Sequence, residues 1–145
     1  MKLKIAWIGK TKQSAIQTLT DEYLKRLSRY AEVEAVALKD EAAIIGPGAG
    51  RRSKHTLVVL DERGKQFSSE ELATFLGDYQ DRNPLPLMFA VGAADGFTPQ
   101  VRQSATLVLS LGKMTLPHEL ARVVLLEQLY RAFTILKRHP YHLGH

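Results

Sequence analysis

Cysteine is absent from the 145 residues. That excludes a disulfide framework, a thiol nucleophile and a cysteine-based zinc site. Long hydrophobic runs are lacking too. The longest apolar stretch, Leu120 to Leu136, carries Arg122, Glu127 and Arg131; it is too short and too charged to span a bilayer. Met1 to Gly9 offers a short apolar run and no small-residue cleavage site, a poor signal peptide. No repeat or linker divides the chain. A soluble, cytoplasmic single domain over residues 1–145, with no membrane partner, is expected.

What is present is ordinary for a globular protein: 45% hydrophobic and 24% charged residues. Twenty Lys and Arg against fifteen Asp and Glu leave a net charge of +5. The excess is modest and hints at a polyanionic partner.

Along the chain, Lys2 to Ile8 suits a strand, and Ile16, Leu19, Tyr23, Leu27 and Tyr30 fall at helical spacing over Ser14 to Arg29. Val33 to Leu38 alternates as a second strand. Gly46-Pro-Gly-Ala-Gly50 breaks regular structure. It is not a phosphate loop, because it runs through Arg51, Arg52 and Lys54 into the strand Thr56 to Leu60 rather than into a helix. Ser68 and Glu71 form a capping box for a helix to about Gln80, with Leu72, Phe75, Leu76 and Tyr79 on its buried face. Pro84 to Val91 is a strand ending at Gly92. Thr98-Pro99 reads as a cap and a first helical position. Thr106 to Leu111 is a fifth strand, and a long helix runs from Pro117 to about Lys137.

This alternation predicts an α/β fold, a mostly parallel sheet with helices on both faces. Ligands in such sheets sit beyond the carboxyl ends of the strands. Three loops lie there, after Leu60, Val91 and Leu111. The last helix is apolar on nearly all sides, which suits either a core position or a subunit seam. Glu127 and Arg131 are spaced for a helix ion pair. Arg122 and Arg131 suit phosphate contacts or buried ion pairs equally. Four of the five histidines lie at the end: His118, His139, His142 and His145. His139 and His142 flank Pro140 with no carboxylate nearby in sequence, so no metal is expected. A frayed terminus and a nucleobase-facing tail both remain open.

Several long motifs together resemble one family. They are Leu60-Asp-Glu-Arg-Gly-Lys65 with Ser68-Ser-Glu-Glu71, the Val91-Gly-Ala-Ala-Asp-Gly96 turn, Leu109 to His118, Arg122 to Ala132, and His139-Pro-Tyr-His142. The chain resembles the small SPOUT-class methyltransferases that modify N3 of a pseudouridine in large-subunit (23S) ribosomal RNA, and the likeness covers nearly its whole length. The resemblance implies a sheet whose C-terminal part is threaded into a trefoil knot, a homodimer seamed by the long helix, and S-adenosyl-L-methionine as cofactor. It implies that Leu60, Gly92 and the loop Gly112, Lys113, Met114, Thr115, Leu116 and Pro117 hold that cofactor. It places Tyr141 and His142 at the target base, His142 as proton acceptor and Tyr141 as stacking or hydrogen-bonding partner. His118 is then cofactor-adjacent rather than catalytic.

Ribosomal RNA on an assembled ribosome becomes the expected partner, with Arg51, Arg52, Lys54, Arg131, Arg138 and His139 as its contacts. From Leu111 onward, five Lys and Arg stand against Glu119 and Glu127 alone, so much of the basic excess lies where RNA is expected. Two residues depart from the family pattern: Ala93 where relatives carry a second glycine, and Leu143 where they often carry a basic residue. A non-catalytic dimeric ribosome-binding protein keeping the same fold is the alternative that these departures leave.

Overall fold

The computed structural model describes residues 1–45 and 55–143. The glycine loop and Arg51, Arg52 and Lys54 lie outside the described residues, as does His145. The order is β1 (Lys2–Ile8), α1 (Ser14–Leu27), β2 (Glu32–Leu38), α2 (Ala42–Ile45), β3 (Thr56–Gln66), α3 (Ser69–Arg82), β4 (Leu87–Val91), α4 (Pro99–Ser104), β5 (Leu107–Ser110) and α5 (His118–Leu136). A single 3-10 turn, Pro140–His142, follows. The strands form one parallel sheet in the order β2-β1-β4-β3-β5. All five residues of β4 are buried, as a strand covered on both faces requires.

Side chains alternate between two layers along β1. Leu3, Ile5 and Trp7 join a large core with residues of α1, α3 and α5, while Ala6 faces a smaller one with Ile44, Phe97 and Val101 from α2, the turn after β4 and α4. Helices therefore cover both faces, as the alternation predicts, but unequally: three long helices on one side, two short ones on the other. The capping box forms as expected. The Glu71 amide donates to Ser68 Oγ at 3.0 Å, and the Ser68 amide donates to Glu71 Oε1 at 2.8 Å. Thr98 precedes Pro99 as expected, yet its hydroxyl makes no cap bond. Its amide instead donates to Glu41 Oε2 at 3.2 Å.

The largest departure from expectation is β3, which does not stop at Leu60. Leu60 and Lys65 both pair with Leu109, so residues 61–64 bulge out before pairing resumes at Lys65 and continues with Gln66 opposite Ser110. Gly64 permits this. A Cβ there would lie 2.6 Å from the carbonyl oxygen of Val108, closer than any side chain allows. The polar run Asp61–Arg63 is thus a bulge, and it is carried at a fixed position by strand on either side.

The apolar circumference of α5 is satisfied largely within the chain. Val123, Leu125, Leu126, Leu129 and Phe133 are buried between the sheet, α1 and α3, whereas Leu120 and Leu136 are exposed. Arg122 is also interior, 1% exposed. It donates from Nη2 to the Ile8 carbonyl at 3.0 Å and from Nη1 to Thr11 Oγ1 at 3.2 Å, and lies 5.4 Å from the Trp7 ring centroid. It is a structural tie to the end of β1, not a phosphate ligand.

Glu119, one helical turn before Arg122, caps α1 from a distance. Its Oε1 accepts from the Lys12 amide at 3.0 Å and the Gln13 amide at 3.3 Å, where α1 has no acidic residue in its first turn and no side-chain cap of its own. Burial opposes ionisation of Glu119, but these two amides and Arg122 hold its carboxyl below the ordinary glutamate range. A depressed folded-state pKa gives stability at neutral pH that is lost as pH falls through that pKa. Replacing Glu119 with Gln should therefore lower Tm at neutral pH. In thermal melts the gap to wild type should close as pH falls below the ordinary glutamate range.

Candidate active site

The three loops at the carboxyl ends of β3, β4 and β5 meet in a cleft of about 230 Å³. Of the residues expected to hold the cofactor, Leu60, Gly92, Gly112, Met114, Thr115 and Leu116 line it. Lys113 and Pro117 do not: Lys113 is exposed, and Pro117 forms the N-cap of α5. His118 and Ala121, at the start of α5, close one side, and the β3 bulge adds Asp61, Glu62 and Arg63. The bulge residues are missed by reading the sequence, because Asp-Glu-Arg looks like solvent-facing loop. Their signal is position, just beyond a strand that points at the cleft.

Local bonds hold the three loops together. Thr115 Oγ1 donates to Glu62 Oε2 at 3.2 Å, tying the β5–α5 loop to the bulge. Ser110 Oγ donates to the Gly112 carbonyl at 2.9 Å and accepts from the Gly112 amide at 3.1 Å. The turn after β4 closes with the Gly96 amide donating to the Ala93 carbonyl at 2.9 Å. Within it, a Cβ on Gly92 would sit 3.1 Å from the Gly96 backbone, so a side chain there would press on the turn that walls the cleft. Ala93 costs the turn no backbone strain: Arg138 is the one non-glycine residue with positive φ among those described. The departure from the family's second glycine is therefore accommodated.

The lining fits the cofactor that the resemblance implies. A sulfonium and an amine against one carboxylate give S-adenosylmethionine a net positive charge, and the cleft offers Asp61, Glu62 and Asp95 against the guanidinium of Arg63. Asp61 is ionised. Burial acts against it, but hydrogen bonds from Arg63 and the charge of Arg102 hold its carboxyl below the ordinary aspartate range.

Tyr141 and His142 are ordered and docked, not frayed, but on α5 rather than in the cleft. Tyr141 donates its hydroxyl to Glu127 Oε2 at 2.7 Å and meets Tyr130 edge-on at 4.8 Å between centroids. Burial and the Glu127 carboxylate push its pKa above the ordinary tyrosine range, so it stays a neutral donor. His142 Nδ1 lies 3.0 Å from Arg131 Nη1 and its Nε2 lies 2.7 Å from Glu70 Oε1. A guanidinium can only donate, so the bonds assign the neutral tautomer with the proton on Nε2.

Arg131 is turned inward. Its Nη2 and Nε also donate to Glu127 Oε2, at 2.9 and 3.2 Å. The expected Glu127–Arg131 pair forms, and Arg131 holds the tail through His142. The carboxylate partner of the tail that sequence spacing lacks is Glu70, 72 residues away. From His118 to Arg131 the helix rises about 20 Å, so the tail stands well off the cleft of its own chain.

His139 and Arg138 build the bend into the tail. His139 Nδ1 accepts from the Tyr141 amide at 3.2 Å. Arg138 has φ +56°, with its amide donating to the Ile135 carbonyl and the His139 amide to the Thr134 carbonyl, a helix end that favours glycine at that position. Replacing Arg138 with Gly should raise stability by up to about 1 kcal/mol in chemical denaturation, since the left-handed conformation costs about that much for a side chain. If Arg138 also meets RNA, the same variant binds ribosomes more weakly, a split that equilibrium binding measures.

A parallel sheet with a loop-walled cleft beyond its carboxyl ends defines an α/β protein built to hold a small charged cofactor. The profile of predicted SPOUT methyltransferases matches residues 1–142, and the chain belongs to that family. It is 60% identical, over the full length of both chains, to the ribosomal RNA large subunit methyltransferase H of Koribacter versatilis. It is 41% identical to the protein of that name from Citrifermentans bemidjiense, over 98% of this chain and 99% of that one. Among solved structures, a probable methyltransferase from Bordetella pertussis Tohama I superposes with a TM-score of 0.62 at 9% identity, covering 91% of this chain and 94% of that chain. The SpoU methyltransferase AviRb from Streptomyces viridochromogenes, solved with AdoMet, gives 0.52 at 14% identity, covering 90% of this chain and 57% of that one. At those identities the structural likeness speaks for the fold.

Proposed function

We propose that this chain is an S-adenosylmethionine-dependent methyltransferase of large-subunit ribosomal RNA, and that its acceptor is N3 of a pseudouridine in 23S RNA on the assembled ribosome. The observation that carries the reading is full-length identity of 60% to a large-subunit ribosomal RNA methyltransferase, together with an acid-lined cleft that suits a cationic cofactor. The bound cofactor supplies an electrophilic methyl carbon on a sulfonium. The residues supply position. The turn at Gly92 and the loop from Gly112 to Leu116 orient the donor, and the base must arrive in line with it.

Tyr141 acts as a neutral hydrogen-bond donor to the base. His142 accepts the N3 proton on Nδ1, the nitrogen that Arg131 occupies here, so the tail releases Arg131 as it engages the base. Because the tail stands off its own cleft, we propose a homodimer in which the tail of one subunit completes the cleft of the other. The family resemblance further implies a C-terminal part threaded as a trefoil knot. A ribosomal substrate puts the enzyme in the cytoplasm.

Labelled S-adenosylmethionine tests the reading with intact ribosomes and with naked ribosomal RNA as acceptors. Label should enter the large-subunit RNA of ribosomes and enter naked RNA far less; no label in either contradicts it. Sharing of the site is tested by mixing two inactive variants, Gly92→Val and His142→Ala. Partial recovery of activity is expected, and none would contradict a shared site.

A further inference from the structure

Removing a proton from N3 of a uracil-type ring leaves negative charge on the ring while the methyl group arrives. Among the residues that line the cleft, Arg63 is the one guanidinium to meet that charge; Asp61, Glu62 and Asp95 are acids. Arg63 is also held still. Asp61 Oδ1 accepts from its amide at 2.9 Å and from its Nε at 3.1 Å, and Asp61 Oδ2 accepts from its Nη2 at 3.2 Å.

Asp61 is anchored from behind. Its side chain is 6% exposed, with Arg102 Nη1 3.6 Å from Oδ2, and Arg102 Nη1 donates to the Phe97 carbonyl at 2.6 Å. The side chain of Arg63 nevertheless stays 67% exposed. Two of its five N–H groups go to Asp61, and the β3 bulge carries the whole arrangement at the mouth of the cleft. Arg122, which serves structure, is by contrast turned inward. A guanidinium pinned by a buried carboxylate yet presented outward is arranged to receive something.

We propose that Arg63 is a catalytic residue that donates to a ring carbonyl oxygen beside N3 of the acceptor base, where charge gathers as the proton leaves, and that Asp61 positions it. This rests on the reading of the chain as a base-nitrogen methyltransferase. The step balances as follows. The N3 proton passes to the accepting base, the N3 electron pair forms the bond to the methyl carbon, and the carbon–sulfur bond breaks with its pair going to sulfur, leaving a thioether. Arg63 remains protonated throughout, and its field lowers the cost of the ring anion.

The test compares wild type, Arg63→Met, Arg63→Lys and Asp61→Asn on ribosomes, with S-adenosylmethionine affinity measured separately by calorimetry. Arg63→Met should lose about 10²-fold in kcat, with the rising limb of its pH–rate profile moved to higher pH. Arg63→Lys, which keeps the charge and will hold the fold if the Met variant does not, should recover part of the loss and part of the shift. Asp61→Asn should show the same pH shift in weaker form. Cofactor affinity should change by less than about twofold. A matching loss of cofactor affinity would assign Arg63 to the cofactor carboxylate and overturn the proposal. A raised KM for ribosomes with an unmoved pH profile would assign it to an RNA phosphate and overturn the proposal equally. Wild-type protein that fails to methylate ribosomal RNA overturns the parent reading and this one together. Active wild type with an indifferent Arg63→Met overturns this one alone.

Discussion

Replacing His142 with alanine should lower kcat for methyl transfer by about 10²- to 10⁴-fold, the usual worth of a positioned proton acceptor. S-adenosylmethionine affinity should stay within about twofold of wild type, because the carboxyl-end loops and the start of α5 line the cleft and the tail is proposed to meet the base rather than the cofactor. The two nitrogens of His142 are already committed to Arg131 and Glu70. Loss of the ring therefore uncovers Glu70 on α3 and Arg131 on α5, which keeps Glu127, rather than leaving a hole in the core, and Tm should fall little. Steady-state kinetics with calorimetry separates the outcomes. A normal kcat would remove His142 from the chemistry, and a parallel loss of cofactor binding would move it into the cofactor site. Glu70→Gln offers a milder form of the test. It keeps the side chain but removes the charge facing Nε2, and should change the pH dependence of kcat more than its maximum.

The second large effect is structural. Gly64→Ala should cost about 2–3 kcal/mol or more, since the new methyl meets backbone that cannot rotate away. For a chain of this size that corresponds to a Tm lowered by about 5–10 °C. The cleft should suffer with the fold. Relief of the clash must displace either β5 or the bulge, and the bulge holds Asp61, Glu62 and Arg63 at the cleft. Cofactor affinity should fall even at temperatures where the variant is folded. A variant that melts and binds like wild type would show that β3 and β5 pass each other with room to spare at Gly64.

Much of this architecture is legible in the residues because it is local. Alternation marks β1, the Ser68–Glu71 box marks the start of α3, and the glycine after Val91 marks the end of β4. Location of the cleft follows from the same pattern, because carboxyl-end loops are where parallel sheets leave room. What escapes local reading is made of distant contacts. Asp61–Arg63 is polar because it faces a cleft, and polarity alone does not separate that from a loop. The bond from Glu119 to the Lys12 amide spans 107 residues, and no helical spacing announces it. The apolar girth of α5 invites a partner subunit, yet most of it is consumed by α1, α3 and the sheet. His142 meets its carboxylate at Glu70, on another helix. Arg138 sits where helix ends favour glycine, so the bend into the tail carries no glycine to betray it.

The basic excess also takes on a definite distribution. Arg122 and Arg131 are spent inside the chain on Ile8, Thr11, Glu127 and His142. That leaves Lys137 and Arg138 exposed at the end of α5, and Lys113 exposed beside the cleft. Charge of this kind should act on encounter with RNA, and so should weaken with salt. It contributes little to the fold.

Methylation of the proposed acceptor atom can be read outright. Ribosomes lacking the modification are incubated with the purified protein and S-adenosylmethionine, and 23S RNA is digested and read by nucleoside and fragment mass spectrometry. One new methyl group is expected, on N3 of a single pseudouridine, absent when His142→Ala replaces the wild type. A methyl group on a ribose, on another base or on no nucleotide at all would contradict the proposed function.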